Sequence, residues 1–292
     1  INSKLHKKRL FFNFFLAQEL QFKAGISHYA QWSGHSSISN KSYNFNDYIR
    51  IFFGREEGGV PEQGERFNVI GNHLGVYELY ITKAYKKFSI QLIYNHFFET
   101  GSGSRFANFP DGRYGIFYKS NDKKSLINSL IYEFYYTKNQ SRTYPDLFDY
   151  YFNNTEYING WTYKNRVIGL PLLTTNYYSE YYGPNEGVKV GNNSIIAHHL
   201  GFSGSILKQL PYKLIATYRK NYGHYRNVGV DGYEYYPADD PRGAVKLDKN
   251  ILSTKLDLQI PNPYLSLNLI VGGDLSRSGS NIGAGLSLSK QF

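Results

Sequence analysis

The last twelve residues of the chain, 281–292, alternate between two kinds of side chain, and this alternation limits what the segment can form. Side chains along a β-strand point alternately to its two faces. A strand over these residues therefore has one apolar face and one small, polar face. The even positions hold Ile282, Ala284, Leu286, Leu288, Lys290 and Phe292, and the odd positions hold Gly283, Gly285, Ser287, Ser289 and Gln291. The pattern predicts a strand that faces lipid on one side and water on the other.

The same alternation recurs along the chain and predicts eleven strands of an all-β, antiparallel fold. They cover residues 8–16, 20–32, 73–83, 87–98, 113–119, 126–137, 195–207, 212–221, 251–260, 265–275 and 281–292. Many are close to the ~9–11 residues that a tilted membrane-spanning strand needs, whereas no apolar run approaches the ~20 residues of a spanning helix. If the chain lies in a membrane, it crosses that membrane as strands.

The connections between the predicted strands alternate between short and long. The short ones cover 17–19, 84–86, 120–125, 207–212 and 260–264, and prolines at 211 and 261 pre-set the turn geometry in the last two. The other side has the short connection 276–280 and four long loops, at 33–72, 99–112, 138–194 and 222–250. Outer-membrane barrels have short periplasmic turns and longer extracellular loops. The pattern predicts a transmembrane β-barrel of about eleven to twelve strands in the bacterial outer membrane.

The composition agrees with this fold class and narrows the partners. The chain has 29 Tyr and 20 Phe and yet a mean hydropathy of −0.48, which fits strands that are polar on one face and edged by aromatic residues. It has no Cys, so disulfides and thiolate metal sites are excluded. The net charge of +10 favours an anionic partner. The basic residues are scattered among tyrosines, so acidic glycans or lipopolysaccharide phosphates are expected rather than nucleic acid.

Several segments of the chain resemble the capsule assembly protein Wzi family, particularly its members from Bacteroidetes. The segments are Gly25-Ile-Ser-His-Tyr-Ala-Gln-Trp-Ser-Gly34, Gly71-Asn-His-Leu-Gly75, Asp111-Gly-Arg-Tyr-Gly115, Ile131-Tyr-Glu-Phe134, Tyr150-Tyr-Phe-Asn-Asn154 and the run from Asn159 to Pro171. The resemblance implies an outer-membrane surface lectin that holds capsular polysaccharide or exopolysaccharide, with no enzymatic activity and no cofactor. We expect a monomer.

Members of that family are longer than this chain and begin with further strands, and some carry a small helical domain on the periplasmic side. The chain begins with Ile and contains no Met. We therefore expect residues 1–292 to be a single β-barrel domain that forms the C-terminal part of a larger barrel.

The segment around Trp161 holds the most distinctive sequence, and two interpretations of it are open. The loop is either a structural plug whose aromatic residues pack on the barrel wall, or a glycan-binding site. Sugar rings stack on Trp and Tyr through their C–H faces, while their hydroxyls need polar partners. The candidate polysaccharide-binding residues are Trp161, Tyr163, Lys164, Arg166, Trp32 and His73.

Other functions receive less support from the sequence. Gly201-Phe-Ser-Gly204 is not a Gly-x-Ser-x-Gly elbow, and neighbouring His198 and His199 point to opposite strand faces, so they cannot share a metal. His28, His73, His96, His199 and Glu133 could converge in a lumen. There a structural hydrogen-bonding role is expected rather than a catalytic one. Acidic pairs at 56–57 and 239–240 are expected to be solvated. The alternative function is a porin-like channel lined by Lys213, Arg219, Lys255 and Asp257.

Overall fold

The computed structural model describes residues 3–33, 43–55, 69–141, 151–154, 157, 159–175, 189–227, 233–236, 247–260, 262 and 265–290. The fold is nearly all β. Eleven long strands form one antiparallel sheet in which each long strand pairs with the next long strand along the chain. These strands are β1 (Lys4–Ala17), β2 (Leu20–Trp32), β3 (Asn72–Ala84), β4 (Phe88–Phe98), β5 (Gly112–Ser120), β6 (Ser129–Tyr136), β11 (Ser194–Ile206), β12 (Leu210–Asn227), β14 (Asn250–Ile260), β15 (Ser266–Ser276) and β16 (Ser280–Ser289).

Short elements lie in the long connections. They are the helix α1 (Phe45–Phe53), the 3-10 helix Gly103–Arg105, and the strands β7 (Thr162–Tyr163), β8 (Arg166–Val167), β9 (Thr174–Thr175), β10 (Val190–Asn192) and β13 (Tyr233–Tyr236). β7 pairs with β8, β9 pairs with β10, and β13 extends the large sheet by pairing with the end of β12. None of these short elements follows from the alternation pattern.

All eleven predicted strands are present, and most of their ends agree with the prediction within one or two residues. The largest difference is at β12, which continues six residues beyond position 221 because its last residues pair with β13. In the described part of the chain, β1 pairs only with β2 and β16 only with β15. The antiparallel all-β fold is therefore confirmed, while closure of the sheet into a barrel stays a prediction. Phe292 lies outside the described residues.

One face of the sheet is polar and is cross-linked by side chains. Residues paired across antiparallel strands point to the same face, and the paired positions place a polar row across β1 to β12, made of Arg9, Ser27, Glu78, Asn95, Arg113, Glu133, His199 and Thr217. Arg9 Nη2 lies 3.2 Å from Glu78 Oε1, and Arg113 Nη1 lies 2.9 Å from Glu133 Oε1. Arg113 also donates to Asn95 Oδ1 over 2.7 Å. We call this side the polar face.

The opposite side, which we call the apolar face, exposes large hydrophobic side chains along its whole width. Leu256 of β14, for example, lies between Leu214 of β12 and Val271 of β15. Exposed residues on this face are Leu10, Phe12, Phe14, Leu92, Ile116, Leu214, Leu252, Leu256, Leu269, Val271, Ile282, Leu286 and Leu288. No helix in the described part of the chain is long and apolar enough to cross a membrane.

Aromatic rings flank the apolar face. One series crosses five strands, with ring centroids 5.1 Å apart for Tyr94 and Tyr114, 6.1 Å for Tyr114 and Phe134, 5.2 Å for Phe134 and His198, and 6.5 Å for His198 and Tyr218. Next to the short turns, Phe88 contacts Tyr85 at 4.7 Å and Tyr118 at 5.5 Å. Aromatic rings at both borders of an apolar band are typical of strands that cross a membrane.

The antiparallel order also determines which connections share an end of the sheet. Because successive long strands run in opposite directions, the segment between β6 and β11 and the segment between β12 and β14 lie at one end. The turn before Pro211 lies at the other end. Trp161 and Asn250 are therefore on the predicted common side. Pro261 lies outside the described residues.

Candidate functional site

The chain after β6 folds back onto the polar face and forms the main hydrophobic cluster there. We call it the Trp161 cluster. Its buried members are Leu74, Tyr151, Phe152, Trp161, Leu173, Val190, Ile195 and Ala197. Trp161 is only 2% exposed. This burial favours the packing interpretation for Trp161, and a contact between Trp161 and a glycan stays a prediction.

Backbone geometry around Gly160 directs Trp161 into the cluster. Gly160 has a φ of 53°, a left-handed conformation that favours glycine. A Cβ atom at this position would lie 2.2 Å from the carbonyl oxygen of Phe152. The next residue, Trp161, donates its N–H to that same carbonyl over 2.9 Å. Any side chain at 160 would therefore force the Phe152 carbonyl away from Gly160 and disturb its hydrogen bond with Trp161.

The hairpin that follows Trp161 is exposed, and we call it the 162–167 hairpin. Its two turn residues, Lys164 and Asn165, have φ values of 47° and 63°, as in the type I′ turn that suits two-residue hairpins. Tyr163 is 66% exposed, and Lys164 and Arg166 are exposed as well. These three side chains line an open depression of about 460 Å³ together with Val167 and Ile168. Three of the six predicted residues are thus brought together.

A buried carboxylate holds the start of this segment in place. Asp111 is fully buried at the start of β5. Its oxygens accept the backbone N–H groups of Asn139 at 2.8 Å and Gln140 at 2.7 Å, and the hydroxyl of Tyr151 at 2.8 Å. The Tyr151 hydroxyl in turn accepts from Asn108 Nδ2 at 2.5 Å. These protein donors take the place of water, so the hydrogen-bonding needs of the buried carboxylate are met.

Buried asparagines attach the rest of the segment to the sheet. Asn153 donates to the Val190 carbonyl over 2.9 Å and accepts the Val190 N–H over 3.0 Å, as a neighbouring strand would. Asn192 Nδ2 donates to Asn221 Oδ1 of β12 over 3.0 Å. Arg219, also on β12, donates to the Leu172 carbonyl over 2.5 Å. The segment is therefore hydrogen-bonded to the polar face of the sheet through buried side chains of β12.

The end of the long connection before β14 is also anchored. Asp248 Oδ2 accepts the backbone N–H of Ser278 over 2.8 Å and the hydroxyl of the same residue. Hydrogen bonds from the hydroxyls of Ser276 and Ser278 lower the pKa of Asp248 to about 2. Asn221 Nδ2 donates to the Asp248 carbonyl over 2.8 Å. These hydrogen bonds connect the end of the loop to β12 and to the turn after β15, at the end of the sheet that carries Trp161.

Trp32 and His73, the other predicted residues, belong to a different place. Both point to the apolar face, as their pairing in β2 and β3 requires. The Trp32 ring lies 5.2 Å from that of Tyr48 in α1. His73 Nδ1 lies 2.7 Å from His28 Nε2, and His73 Nε2 donates to the Ile70 carbonyl over 2.8 Å. These contacts do not join the 162–167 hairpin, so the six candidates form no single site.

The predicted convergence of His28, His73, His96, His199 and Glu133 in a lumen is wrong. The first three point to the apolar face, whereas His199 and Glu133 point to the polar face. His199 Nδ1 lies 2.7 Å from Thr217 Oγ1, a structural contact between strands. Within the described ranges, no group of three or more His, Cys, Asp or Glu residues is arranged to hold a metal ion.

Two further sets of sequence candidates have clear positions. Ser203 of the Gly-Phe-Ser-Gly segment lies 2.6 Å from Ser129 Oγ and donates to Asn128 Oδ1 over 2.6 Å. Lys213, Arg219, Lys255 and Asp257, the residues proposed to line a channel, all point to the polar face. The acidic pairs 56–57 and 239–240 lie outside the described residues.

The sequence reasoning missed α1, which packs against residues of β1 and β2. The signals were present: Asn44 and Asp47 form a capping box, and Gly54 ends the helix with a φ of 62°. The missed segment includes Tyr48, Ile51 and Phe52, which pack toward the apolar face. The sequence analysis predicts a long loop over 33–72, and the helix lies within it.

Comparisons with known proteins place the chain in no family. No family model matches it, and no curated protein matches it. Among solved structures, a chain from the structure of the RagAB peptide importer in the "closed-closed" state is similar, with 12% identity and a TM-score of 0.34. The match covers 99% of this chain and 30% of that chain, so the chain spans less than a third of that protein's length.

Proposed function

We propose that this chain is part of an outer-membrane β-barrel that acts as a surface lectin and holds an acidic polysaccharide at the cell surface. The resemblance of its segments to the Wzi family motivates the proposal. Two features of the structure support it, the exposed apolar face and the exposed 162–167 hairpin. Each supports a different part of the proposal.

The membrane location is supported by the apolar face. Leucine and phenylalanine side chains are exposed along it from β1 to β16. Removing this surface from water would be favourable, because burial of apolar surface is worth roughly 25 cal/mol per Å². An exposed apolar surface of this extent marks a site of contact with lipid or with another protein. The aromatic rings at both borders favour lipid, because amphipathic rings prefer the membrane interface. The polar face then lines the interior.

The observation that carries the lectin function is the placement of Tyr163, Lys164 and Arg166 together on an exposed hairpin. Tyr163 offers an apolar ring face to a sugar. Lys164 and Arg166 offer donors for hydroxyl and carboxylate groups. Below them, the buried Trp161 and its neighbours hold the hairpin in one position. A binding surface prepared in this way loses less conformational entropy when the glycan binds.

A channel is the second candidate, and one observation favours it. Lys213 and Lys255 are exposed on the polar face, where a solute path would need charge. The segment that bears Trp161 argues against free passage, because it is tied to β12 across the same face. Single-channel conductance separates the two candidates. The lectin proposal expects no steady conductance, whereas a channel would show ohmic current.

The test of the lectin function is the double substitution Tyr163→Ala with Arg166→Ala. The loss of one stacking contact is worth ~0.5–1.5 kcal/mol, so with the lost cation we expect about tenfold weaker retention of an acidic polysaccharide by the protein in vesicles. The matched control is Tyr85→Ala with Lys87→Ala, which removes the same types of side chain at the opposite end. Unchanged retention in the hairpin variant, or an equal loss in the control, would refute the proposal.

A further inference from the structure

The helix α1 covers the apolar face, not the polar face that carries the Trp161 cluster. Ile51 is buried with Ala30 of β2 and Ile70, and Tyr48 and Phe52 contact the His6 ring of β1 at centroid distances of 6.0 Å and 5.8 Å. Ala30 and His6 both point to the apolar face, by their strand pairing. The helix is therefore mounted on the side of the sheet that we assign to lipid, at the end that also carries the long connections.

The helix is more apolar than its contact with the sheet requires. At 3.6 residues per turn, Tyr48, Ile51 and Phe52 form the sector that packs on the strands. Phe45, Ile49 and Phe53 recur every four residues and form a second apolar sector beside it. Their side chains are 74%, 38% and 61% exposed. The third sector is polar and contains Asn46, Asp47 and Arg50. Among the described residues, the strands contact this sector only at its edge, where Lys8 Nζ lies 5.8 Å from the Phe53 ring centroid. An exposed apolar sector beside a polar one is typical of a helix in a membrane interface.

Cationic side chains follow the seam between the helix and the strands. Lys4 Nζ lies 4.8 Å from the Trp32 ring centroid, and Lys8 Nζ lies 4.3 Å from that of Phe52. Arg55 Cζ lies 5.6 Å from the Phe53 ring. In the described part of the chain, none of these three cations has an ion-pair partner. Their charge is therefore available to an anion beside an apolar surface.

We infer that α1 anchors the protein in the outer leaflet of its membrane, with Phe45, Ile49 and Phe53 in the lipid and Lys4 and Lys8 on the phosphate groups of an anionic lipid. The inference rests on the proposed membrane location. Lipid phosphate is the anion that fits, because the cations adjoin an exposed apolar sector and an anion free in water would leave that sector uncovered. Aromatic and basic residues together are the usual composition of interfacial helices.

The test uses single cysteines, because the chain contains none. The full chain is folded into vesicles of phosphatidylcholine and phosphatidylglycerol, and a charged maleimide in the water phase is added to Phe45→Cys, Leu269→Cys or Tyr163→Cys. We expect the first two to react at least about tenfold more slowly than the third, a factor that corresponds to ~1.4 kcal/mol. The far-ultraviolet circular dichroism of each variant must match that of the unsubstituted chain.

The charge component is tested in the same assay. Adding Lys4→Gln and Lys8→Gln to the Phe45→Cys variant should speed its reaction with the maleimide by up to about 30-fold in the mixed vesicles. The reason is that the attraction of each Lys to an anionic membrane surface is worth ~1 kcal/mol. The same change should have little effect in phosphatidylcholine alone. The charge control is the double substitution Lys119→Gln with Lys208→Gln, at two positions near the short turns. It should leave the reaction rate of the cysteine at position 45 unchanged.

The outcomes distinguish this inference from the membrane proposal. A fast reaction at position 45 with a slow reaction at position 269 would overturn the anchor and leave the membrane location standing. A fast reaction at position 269 would overturn the membrane location itself. Protection at position 45 that ignores both the lysine substitutions and the lipid charge would overturn the binding of lipid phosphate.

Discussion

Trp161 and Tyr163 are two residues apart and lie in opposite environments. Trp161 is buried in the Trp161 cluster, and Tyr163 is exposed on the hairpin that begins immediately after it. Both interpretations of this segment were open from the sequence, because an aromatic residue that packs in a core and one that stacks on a sugar are the same in a sequence. The difference arises from long-range contacts with Leu74 and Ile195, which no local pattern contains.

Gly160 gives a prediction at this scale. Gly160→Ala places a Cβ atom against the Phe152 carbonyl at a left-handed φ, and strained conformations of this kind cost of order 1–3 kcal/mol. We expect the segment 151–175 to be cut faster by a protease added to the folded protein in vesicles. Gly101→Ala is the control, since nothing lies within 4 Å of a Cβ atom there. Equal cleavage of the two variants would contradict this role of Gly160.

The elements differ in how far their sequence signals allowed them to be predicted. Long strands follow directly from alternation, because one face of each strand is mostly apolar, and the end of β2 was predicted to the residue. The short strands β9 and β10 could not be predicted, because two or three residues carry no periodicity and their pairing depends on Asn153 and Val190 meeting in space. The helix α1 was predictable from its caps and was missed.

The capping box of α1 provides a prediction at the scale of the element. Asn44→Ala removes the side-chain oxygen that accepts the Asp47 N–H over 3.0 Å, and the loss of such a cap costs ~1 kcal/mol. We expect about fivefold faster amide hydrogen exchange over 45–53, with exchange in β2 unchanged. Asn46→Ala is the matched control, because that side chain is exposed and lies outside the cap. Similar exchange in both variants would mean that the box does not hold the helix.

At the scale of the whole molecule, the order of the strands explains why two different surfaces arise from one simple pattern. Apart from register shifts between Phe15 and Ala17 and between Ser194 and Ile195, the pairings keep alternate residues on the same face. A single alternation in sequence therefore becomes one apolar face and one polar face across eleven strands. The polar face gained ion pairs and a fixed cover, which needed contacts between residues distant in sequence. Apart from its contacts with α1, the apolar face follows from the alternation alone, and for that reason its strand positions were predicted best.

The two faces can be tested at neighbouring positions of β15. Leu269 pairs with Leu258 and Leu286 on the apolar face, and Asn268 pairs with Gln259 and Ser287 on the polar face. If the apolar face contacts lipid, Leu269→Arg should cost ~2–4 kcal/mol near the middle of the bilayer. Asn268→Arg should cost much less, because water or polar groups on its face can solvate the guanidinium.

The measurement is the free energy of folding into liposomes, from urea titrations of both variants. The adjacent positions share one strand, one backbone environment and one introduced side chain, so only the direction of the side chain differs. Equal costs would mean that the apolar face does not contact lipid.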